Sequence, residues 1–511
     1  MKLSKIVFHP ILFGIFPVIS LFESNINFTS FSEIILPSTI IIIIIITVWI
    51  FLKKILNSTK KSALIISLLT ILFFVYGPTY FTIDDLSIGG NDIGRHMYLI
   101  IPFLGIGIIG SILVIKSKKE LKNLTDISNV VSLILIIVIL SSISTYNFDD
   151  TYSVEIKNMD KIINEEKILP DIYFIMLDGY PGKTSLNHIT NYDNQGFLDD
   201  LSNQGFFIQN KSYANYPHTF LSIPSILNMK YLDDVIEKFP DGEGSHAIPY
   251  KMGSNNQVMN FIKSQGYVTV SFDSGWGFTR DIESADLKLC GDNKIFNSEF
   301  MIELIKNSML NPIYVKLFET DAVEMKLCIF DELPKIKDRT NKPVFVFAHI
   351  FLPHPPYLFE ENGEVRELTN LDFHLETKEN LDKNAFVNQL KFTNKKTIEV
   401  VTKLLDSEKQ PIIIIQSDHG TAFTFNGSLK NWEKPSNEMI EERMDSINFI
   451  FLPENKINIF SENITPVNTF SILFNHYFGT NFEIFEDRMY FGSSASYNLM
   501  NVTENFKNIQ N

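Results

Sequence analysis

Four short runs of this 511-residue chain hold residues whose types and spacing could do chemistry. "DIYFIMLDGYPG" leads an apolar run into Asp178 and then into a Gly-Tyr-Pro-Gly turn. "PIIIIQSDHGTAF" presents Asp418 and His419 side by side before Gly420. "FVFAHIFLPHPPYLF" sets His349 and His354 on either side of a loop that its prolines stiffen. "YPHTFLSIPS", residues 216 to 225, offers His218, Thr219, Ser222 and Ser225 with Pro217 and Pro224 close by. A carboxylate and an imidazole on one tight turn suit a divalent cation. A hydroxyl beside such a cation is a candidate nucleophile. Each run also has a plainer reading: aspartates that cap turns, a surface histidine, a turn that merely favours hydroxyls. For Asp178 alone, the turn cap is the simpler reading. For Asp418 and His419, the four-isoleucine run ahead of them points to a buried sheet centre and favours the ligand reading. Asp273, in "VSFDSGWG", is a turn cap or a wall of the site.

The elements that must position these groups are legible as short apolar, β-branched runs. They are "DIYFIML" (171–177), "YVTVSF" (267–272), "PVFVFAHI" (343–350), "PIIIIQ" (411–416) and "INFIFL" (447–452). Helical patterns lie between them, among them "QVMNFIKSQ" (257–265) and a long one around Asn384–Asp406. Continuous apolar strands alternating with helices predict an α/β sheet covered on both faces. In such sheets functional groups collect just beyond the carboxyl ends of the strands, where Asp178, Asp418 and His419 stand.

The N-terminal part is different in kind. Five apolar segments, about 6–22, 34–52, 62–80, 97–115 and 130–146, approach the ~20 residues that span a bilayer core. Pro10 and Pro17 make the first the weakest span, with an uncleaved signal anchor or an interfacial helix as alternatives. Lys2 and Lys5 precede the first segment. Lys53, Lys54, Lys60 and Lys61 separate the second from the third, and Lys116, Lys118, Lys119 and Lys122 the fourth from the fifth. The other two loops carry Glu23, Glu33, Asp84, Asp85 and Asp92 against Arg95. The positive-inside rule then puts the N-terminus in the cytoplasm and everything after residue ~147 outside. The expected organisation is a transmembrane domain (1–146), a connector (147–170), an extracytoplasmic α/β domain (171–495) and a tail (496–511). Cys290 and Cys328 show no metal-ribbon spacing. They are two buried thiols or, outside the cytoplasm, a disulfide. A net charge of −15 argues against a nucleic-acid partner.

Taken together and in this order, "LDG", the hydroxyl run, "PHPP" and "SDHG" resemble the alkaline-phosphatase and sulfatase superfamily. With five spans ahead, the chain looks most like its membrane-anchored branch, which holds phosphoethanolamine transferases and lipoteichoic acid synthase. The resemblance covers about residues 170 to 490, including "ERMDSINFIFLPE" and "TPVNTFSILFNHYFG". It implies a central mixed, mostly parallel sheet and a metal site of Asp178, Thr219, Asp418 and His419. It also implies a divalent cation, Zn or Mn, with Mg or Ca as alternatives. "TFLSIP" matches the T-x-x-S-x-P context of the transferases' nucleophile and gives that role to Thr219, with Ser222 as runner-up. A helix starting near Ser222–Pro224 would turn free amides toward an anion. Sulfatases instead use a cysteine or serine in C/S-x-P-x-R. Aligned on Thr219, those proline and arginine positions hold Leu221 and Ile223, which argues against formylglycine chemistry. His349 and His354 would bind substrate oxygens, protonate the leaving group or hold a second metal. His218 is a weaker helper, Arg443 matches a family arginine without a derivable role, and His246, His374 and His476 read as surface or structural. One departure stands: the two named groups place glutamate where this chain has Asp178.

The expected function is metal-dependent transfer of a phospho-alcohol head group, of phosphoethanolamine or phosphoglycerol type. The donor would be a membrane lipid and the acceptor an envelope glycan or lipid, through a phospho-threonine. The alternatives are a phosphoester or sulfoester hydrolase of the same fold and a non-catalytic envelope protein. The expected location is a bacterial-type cell membrane.

Overall fold

The computed structural model describes the chain except residues 1–5, 27–28, 30, 84–86, 89–90, 93–95, 118–120, 146–168, 210, 240–241, 243–245, 292–298, 369–380, 454–458, 461–463, 494–495 and 508–511. Nearly all of the expected connector, and His374, lie outside the described residues. The chain forms two compact units. One comprises Met1–Asp149 with Ile295–Phe318, the other Asp150–Lys294 with Glu319–Asn511.

The first unit contains α1 (His9–Ser24), α2 (Ile35–Leu56), α3 (Thr59–Ile83), α4 (His96–Lys116) and α5 (Lys122–Thr145). Among the described residues four stretches, Phe31–Leu56, Thr59–Ile83, His96–Lys116 and Lys122–Thr145, are helices long and apolar enough to cross a membrane. The expected first span is a shorter apolar helix of 16 residues and is not among these four. Seven consecutive isoleucines, Ile40 to Ile46, favour a strand on propensity, yet they lie inside α2. A lipid-facing strand leaves its backbone unpaired, whereas a helix satisfies it internally. Polar side chains tie these helices together. Asn129 Oδ1 accepts from the Phe8 and His9 amides at 3.2 and 3.1 Å, and His9 Nδ1 lies 2.6 Å from Ser67 Oγ. Near their other ends, Ser142 Oγ donates to Glu23 at 2.6 Å, joining α5 to α1. Lys61 Nζ caps α4 by donating to Ile115 O and Ser117 O at 2.8 and 2.9 Å.

The second unit is built on seven strands: β1 (Ile172–Leu177), β2 (Phe207–Ile208), β3 (Val268–Phe272), β4 (Leu287–Leu289), β5 (Val344–Ile350), β6 (Ile412–Gln416) and β7 (Asn448–Phe451). Their order across the sheet is β2-β7-β6-β1-β5-β3-β4. β1 pairs in parallel with both β5 and β6, and β3 in parallel with β5 and β4. β7 runs antiparallel to β6 and β2, so the sheet is mixed and mostly parallel, as expected. The five strands legible in the sequence are the five central ones. Every residue of β1, β5 and β6 is buried, which is why each is apolar along nearly its whole length. On one face Phe174 and Phe347 stack, with Phe470 edge-on to Phe174 at 5.0 Å. Cys290 and Cys328 form a disulfide.

Candidate active site

Because β6, β1 and β5 are adjacent and parallel, their carboxyl ends open at one place. Asp178 follows β1, and its amide donates to Ile350 O at the end of β5. The Gly179 amide, in a left-handed turn at φ 66°, donates to Asp418 Oδ1 at 3.0 Å, which ties the β1 turn to the β6 turn. Gly420 allows a close approach that no other residue could make. A Cβ there would sit 2.1 Å from Glu442 O and 2.6 Å from Asp445 O.

The third contributor is α6 (Thr219–Asn228). It starts at Thr219, earlier than the expected Ser222–Pro224. The Leu221 and Ser222 amides already bond His218 O, and Pro224 is accommodated inside the helix. Thr219 therefore occupies the first helical position, beside the free amides of the N-terminus. Its hydroxyl donates to Asp418 Oδ2 at 2.6 Å and lies 3.2 Å from His419 Nε2. Ser222 is one turn further on, and its hydroxyl donates to Tyr216 O at 2.8 Å.

Asp178, Asp418 and His419 are all buried and bring one ligand atom each to within 4.8 Å of one another. His419 Nδ1 donates to Gly420 O at 2.9 Å, so Nε2 presents a lone pair toward Asp418 Oδ2 at 3.2 Å and Asp178 Oδ1 at 3.9 Å. Asp178 Oδ1 is buried with no hydrogen-bond partner among the described residues. A buried carboxylate oxygen left in this way is costly. The donor set, two carboxylates, an imidazole nitrogen oriented by its other ring N–H and a hydroxyl, fits a divalent cation. The electrostatics agree. Burial, reinforced by Asp418, pushes the Asp178 carboxyl up to about 7. Burial, with Arg443 nearby, holds His419 well below its usual range as a neutral imidazole.

The two other expected histidines lie on the same side of the sheet. His349 is buried in β5, with Nε2 3.1 Å from Asp178 Oδ2 and Nδ1 2.9 Å from Thr279 Oγ1. Burial lowers it to about 4. His354 bonds Pro355 O through Nδ1 at 2.8 Å, and its amide donates to Asp178 O at 3.2 Å. Its loop is pinned by Gln389 of α9 (Lys383–Leu405), whose Nε2 donates to Pro353 O and His354 O at 3.1 and 3.0 Å. His218 turns away, with Nε2 2.9 Å from Gly492 O and its ring 5.0 Å from Trp432. Asp273 caps its own turn by accepting from the Gly275 amide at 2.7 Å. His246 is buried against the Phe220 ring at 3.6 Å and His476 is exposed.

Three buried groups here carried no readable role in the sequence. Arg443 donates from Nε to Pro217 O at 2.6 Å and from Nη1 to Gly420 O at 3.0 Å. It thus bridges the turn before Thr219 and the turn after His419. Glu442 accepts from Thr421 Oγ1 and the Phe423 amide, each at 2.6 Å, and from the Thr424 amide at 2.8 Å, fixing the loop that follows. Lys326 is buried on α8 (Tyr314–Glu332). It donates to Phe351 O at 3.0 Å, and burial lowers it to about 7. Lys326 sits in "EMKLCIF" like any helical surface lysine, so no sequence signal could have found it.

The family model described as Sulfatase matches residues 170–443, more than half of the chain. No curated protein sequence matches it. Several solved structures are similar. The C-terminal periplasmic domain of EptC from Escherichia coli is 13% identical, covering 68% of this chain and 95% of that one at a TM-score of 0.43. The integral membrane lipooligosaccharide phosphoethanolamine transferase A from Neisseria meningitidis is 10% identical, covering 90% and 93% at a TM-score of 0.40. The putative sulfatase yidJ from Bacteroides fragilis is 15% identical, covering 64% and 82% at a TM-score of 0.40.

Proposed function

The chain belongs to the sulfatase family, and from that premise we propose that it is a metal-dependent transferase. It moves a phospho-alcohol head group from a membrane lipid to an envelope glycan or lipid, through Thr219. The observation that carries this reading is the Thr219 hydroxyl at a helix N-terminus, 2.6 Å from Asp418 and 3.2 Å from His419. A formylglycine precursor is missing from that position, and both cysteines are joined to each other.

Asp178, Asp418, His419 and Thr219 would hold the cation, Zn or Mn in the first instance. When bound, it lowers the pKa of a nearby hydroxyl and offsets phosphoryl charge. The chain's own residues do the rest. In the first half-reaction a Thr219 Oγ1–phosphorus bond forms and the bond from phosphorus to the lipid alcohol breaks. The threonine proton passes to Asp418 Oδ2, to which it is already donated, and leaves on the lipid alcohol. In the second, an acceptor hydroxyl bonds phosphorus, the Thr219 bond breaks, and the acceptor's proton returns to Thr219. The amides at the start of α6 stabilise the phosphoryl oxygens. His354, neutral and held by Pro355 O and Gln389, and His349, beside Asp178, line the approach and orient the group.

The same reading places five spans in the membrane. His9 meets Ser67 and Asn129 near one end of the bundle, and Glu23 meets Ser142 at the other. α1 therefore follows α5 over 13 residues, about 20 Å, in the manner of a span. The lysine-bearing ends of α3 and α4 meet through Lys61, which supports a single cytoplasmic face and a catalytic unit outside. The disulfide fits an oxidising compartment.

Head-group-labelled phosphatidylethanolamine or phosphatidylglycerol in proteoliposomes, with an acceptor glycolipid, tests the reading. Label transferred to the acceptor supports it. Label released only as free head group makes the protein a hydrolase. Thr219→Ala is expected to lower turnover by ~10⁴-fold or more while leaving fold and bound metal in place. Near-normal turnover in that variant removes Thr219 as the nucleophile.

A further inference from the structure

Residues Ile295–Phe318 lie in the sequence between two strands of the α/β unit, yet they cluster with the N-terminal helices. Their described part begins with α7 (Glu299–Lys306), in which Phe300, Met301, Ile302 and Leu304 are buried. A short turn follows, then the first residues of α8. The turn lies directly against α3. The Met309 amide donates to Phe73 O at 2.8 Å. Gly77 makes the approach possible, since a Cβ there would fall 2.5 Å from Asn307 Cα and Lys306 O.

The depth of this contact matters. Phe73 is 12 residues beyond Lys61, hence about 18 Å along the helix from the lysine-bearing end, inside a ~30 Å hydrocarbon core. Non-helical backbone at that depth is tolerated only if its polar groups are satisfied. Many of its polar groups are bonded to protein groups. Asn311 Nδ2 donates to Lys306 O at 2.7 Å, Asn307 Nδ2 to Glu303 O at 2.8 Å and Ser308 Oγ to Ile305 O at 2.7 Å. The Leu310 amide donates to Ser308 Oγ at 3.1 Å, and the Asn311 and Ile313 amides to Ser308 O and Leu310 O. Lys306 is paired with Glu303 at 2.8 Å. Outward, one helical turn apart, Ile313 and Leu317 are 46% and 50% exposed.

We propose that Glu299–Phe318 is a re-entrant membrane element that dips into the leaflet away from the lysine loops, with Ile313 and Leu317 covered by lipid acyl chains. Lipid is the occupant because the element packs with apolar helices, and because the amides of residues 307–311 and 313 are bonded to protein groups rather than left for water. Cys290 and Cys328, 38 residues apart, close the loop that carries it.

Full-length protein in phosphatidylcholine proteoliposomes tests this, with tryptophan introduced singly as Leu317→Trp, Ile313→Trp and, in the α/β unit, Val365→Trp. Val365 is exposed to a similar degree, 46%. Emission added by L317W and by I313W is expected to be lost with acyl-chain-brominated phosphatidylcholine and to resist aqueous iodide, while V365W behaves in the opposite way. Iodide quenching of L317W and I313W equal to that of V365W, with no loss to brominated lipid, overturns the proposal.

Discussion

Buried polar groups do different work in the two units. In the helical unit His9, Ser67 and Asn129 are buried, and the bonds they make between helices run through groups that need no formal charge. In the α/β unit Asp178, Lys326, Asp418, Glu442 and Arg443 are all at most 4% exposed, and most of them converge on the ends of three strands. Neutral hydrogen bonds between helices cost little to bury and fix helix positions. Buried charges cost several kcal/mol each unless they are compensated. Their concentration around Asp178 Oδ1, which has no hydrogen-bond partner among the described residues, supports the proposed cation site.

The sharpest way to break this contrast is to remove the charge that calls for a cation. Asp418→Asn combined with His419→Ala is expected to abolish metal binding, read by elemental analysis of the purified protein. Bound metal at the wild-type level would sink the ligand assignment. Arg443 comes next, since it joins the two turns that bring Thr219 and His419 together. Arg443→Met is expected to lower kcat by ~10²-fold or more through misplacement, with a smaller effect on metal content. Arg443→Lys should restore part of the loss. A variant with unchanged kcat would show that the bridge does not position the site.

The neutral network should behave as a structural device only. Asn129→Ala removes two bonds accepted from Phe8 and His9 and one donated to Ile6 O. It is expected to lower the stability of the helical unit by about 1–3 kcal/mol, read as a shift in thermal unfolding in detergent, without changing bound metal. Loss of metal in that variant would break the division of labour. The last effect appears only as pH changes and concerns Asp445, whose carboxyl accepts from the Ser185 amide at 3.0 Å and which burial pushes up to about 6. The folded state thus holds a proton that the unfolded chain releases near pH 4. Stability attributable to this group is complete below pH 4 and falls as pH rises through about 6. Asp445→Asn is expected to flatten that fall and to be more stable above pH 6, by roughly 3 kcal/mol at most. Parallel stability curves for the two proteins would contradict it.

How much of this the sequence revealed follows from burial. Strands buried on both faces must be apolar along their length, so the five central ones were legible. The edge strands Phe207–Ile208 and Leu287–Leu289 span two and three residues and left no pattern. Asp178, Asp418 and His419 were legible because they follow such strands. Thr219 and Ser222 were both visible as hydroxyls. Only the three-dimensional start of α6 shows that one faces Asp418 and the other bonds Tyr216 O. Arg443 and Gln389 act on backbone carbonyls, and a carbonyl partner leaves no mark in the sequence. The first apolar segment was read as a span from its composition, while its helix has 16 residues. Residues 299–318 were read as part of the α/β domain, because their mixed composition resembles an ordinary amphipathic helix until Gly77 and Phe73 are seen against them.

The central claim is that Thr219 takes the head group covalently. The most direct measurement is an acid-quenched reaction of the metal-loaded protein with excess lipid donor and no acceptor, followed by peptide mass analysis. The account predicts the phospho-alcohol mass on the peptide containing "TFLSIP", with fragment ions placing it on Thr219 and none in Thr219→Ala. An adduct on Ser222, or substrate turnover with no protein adduct, would contradict it.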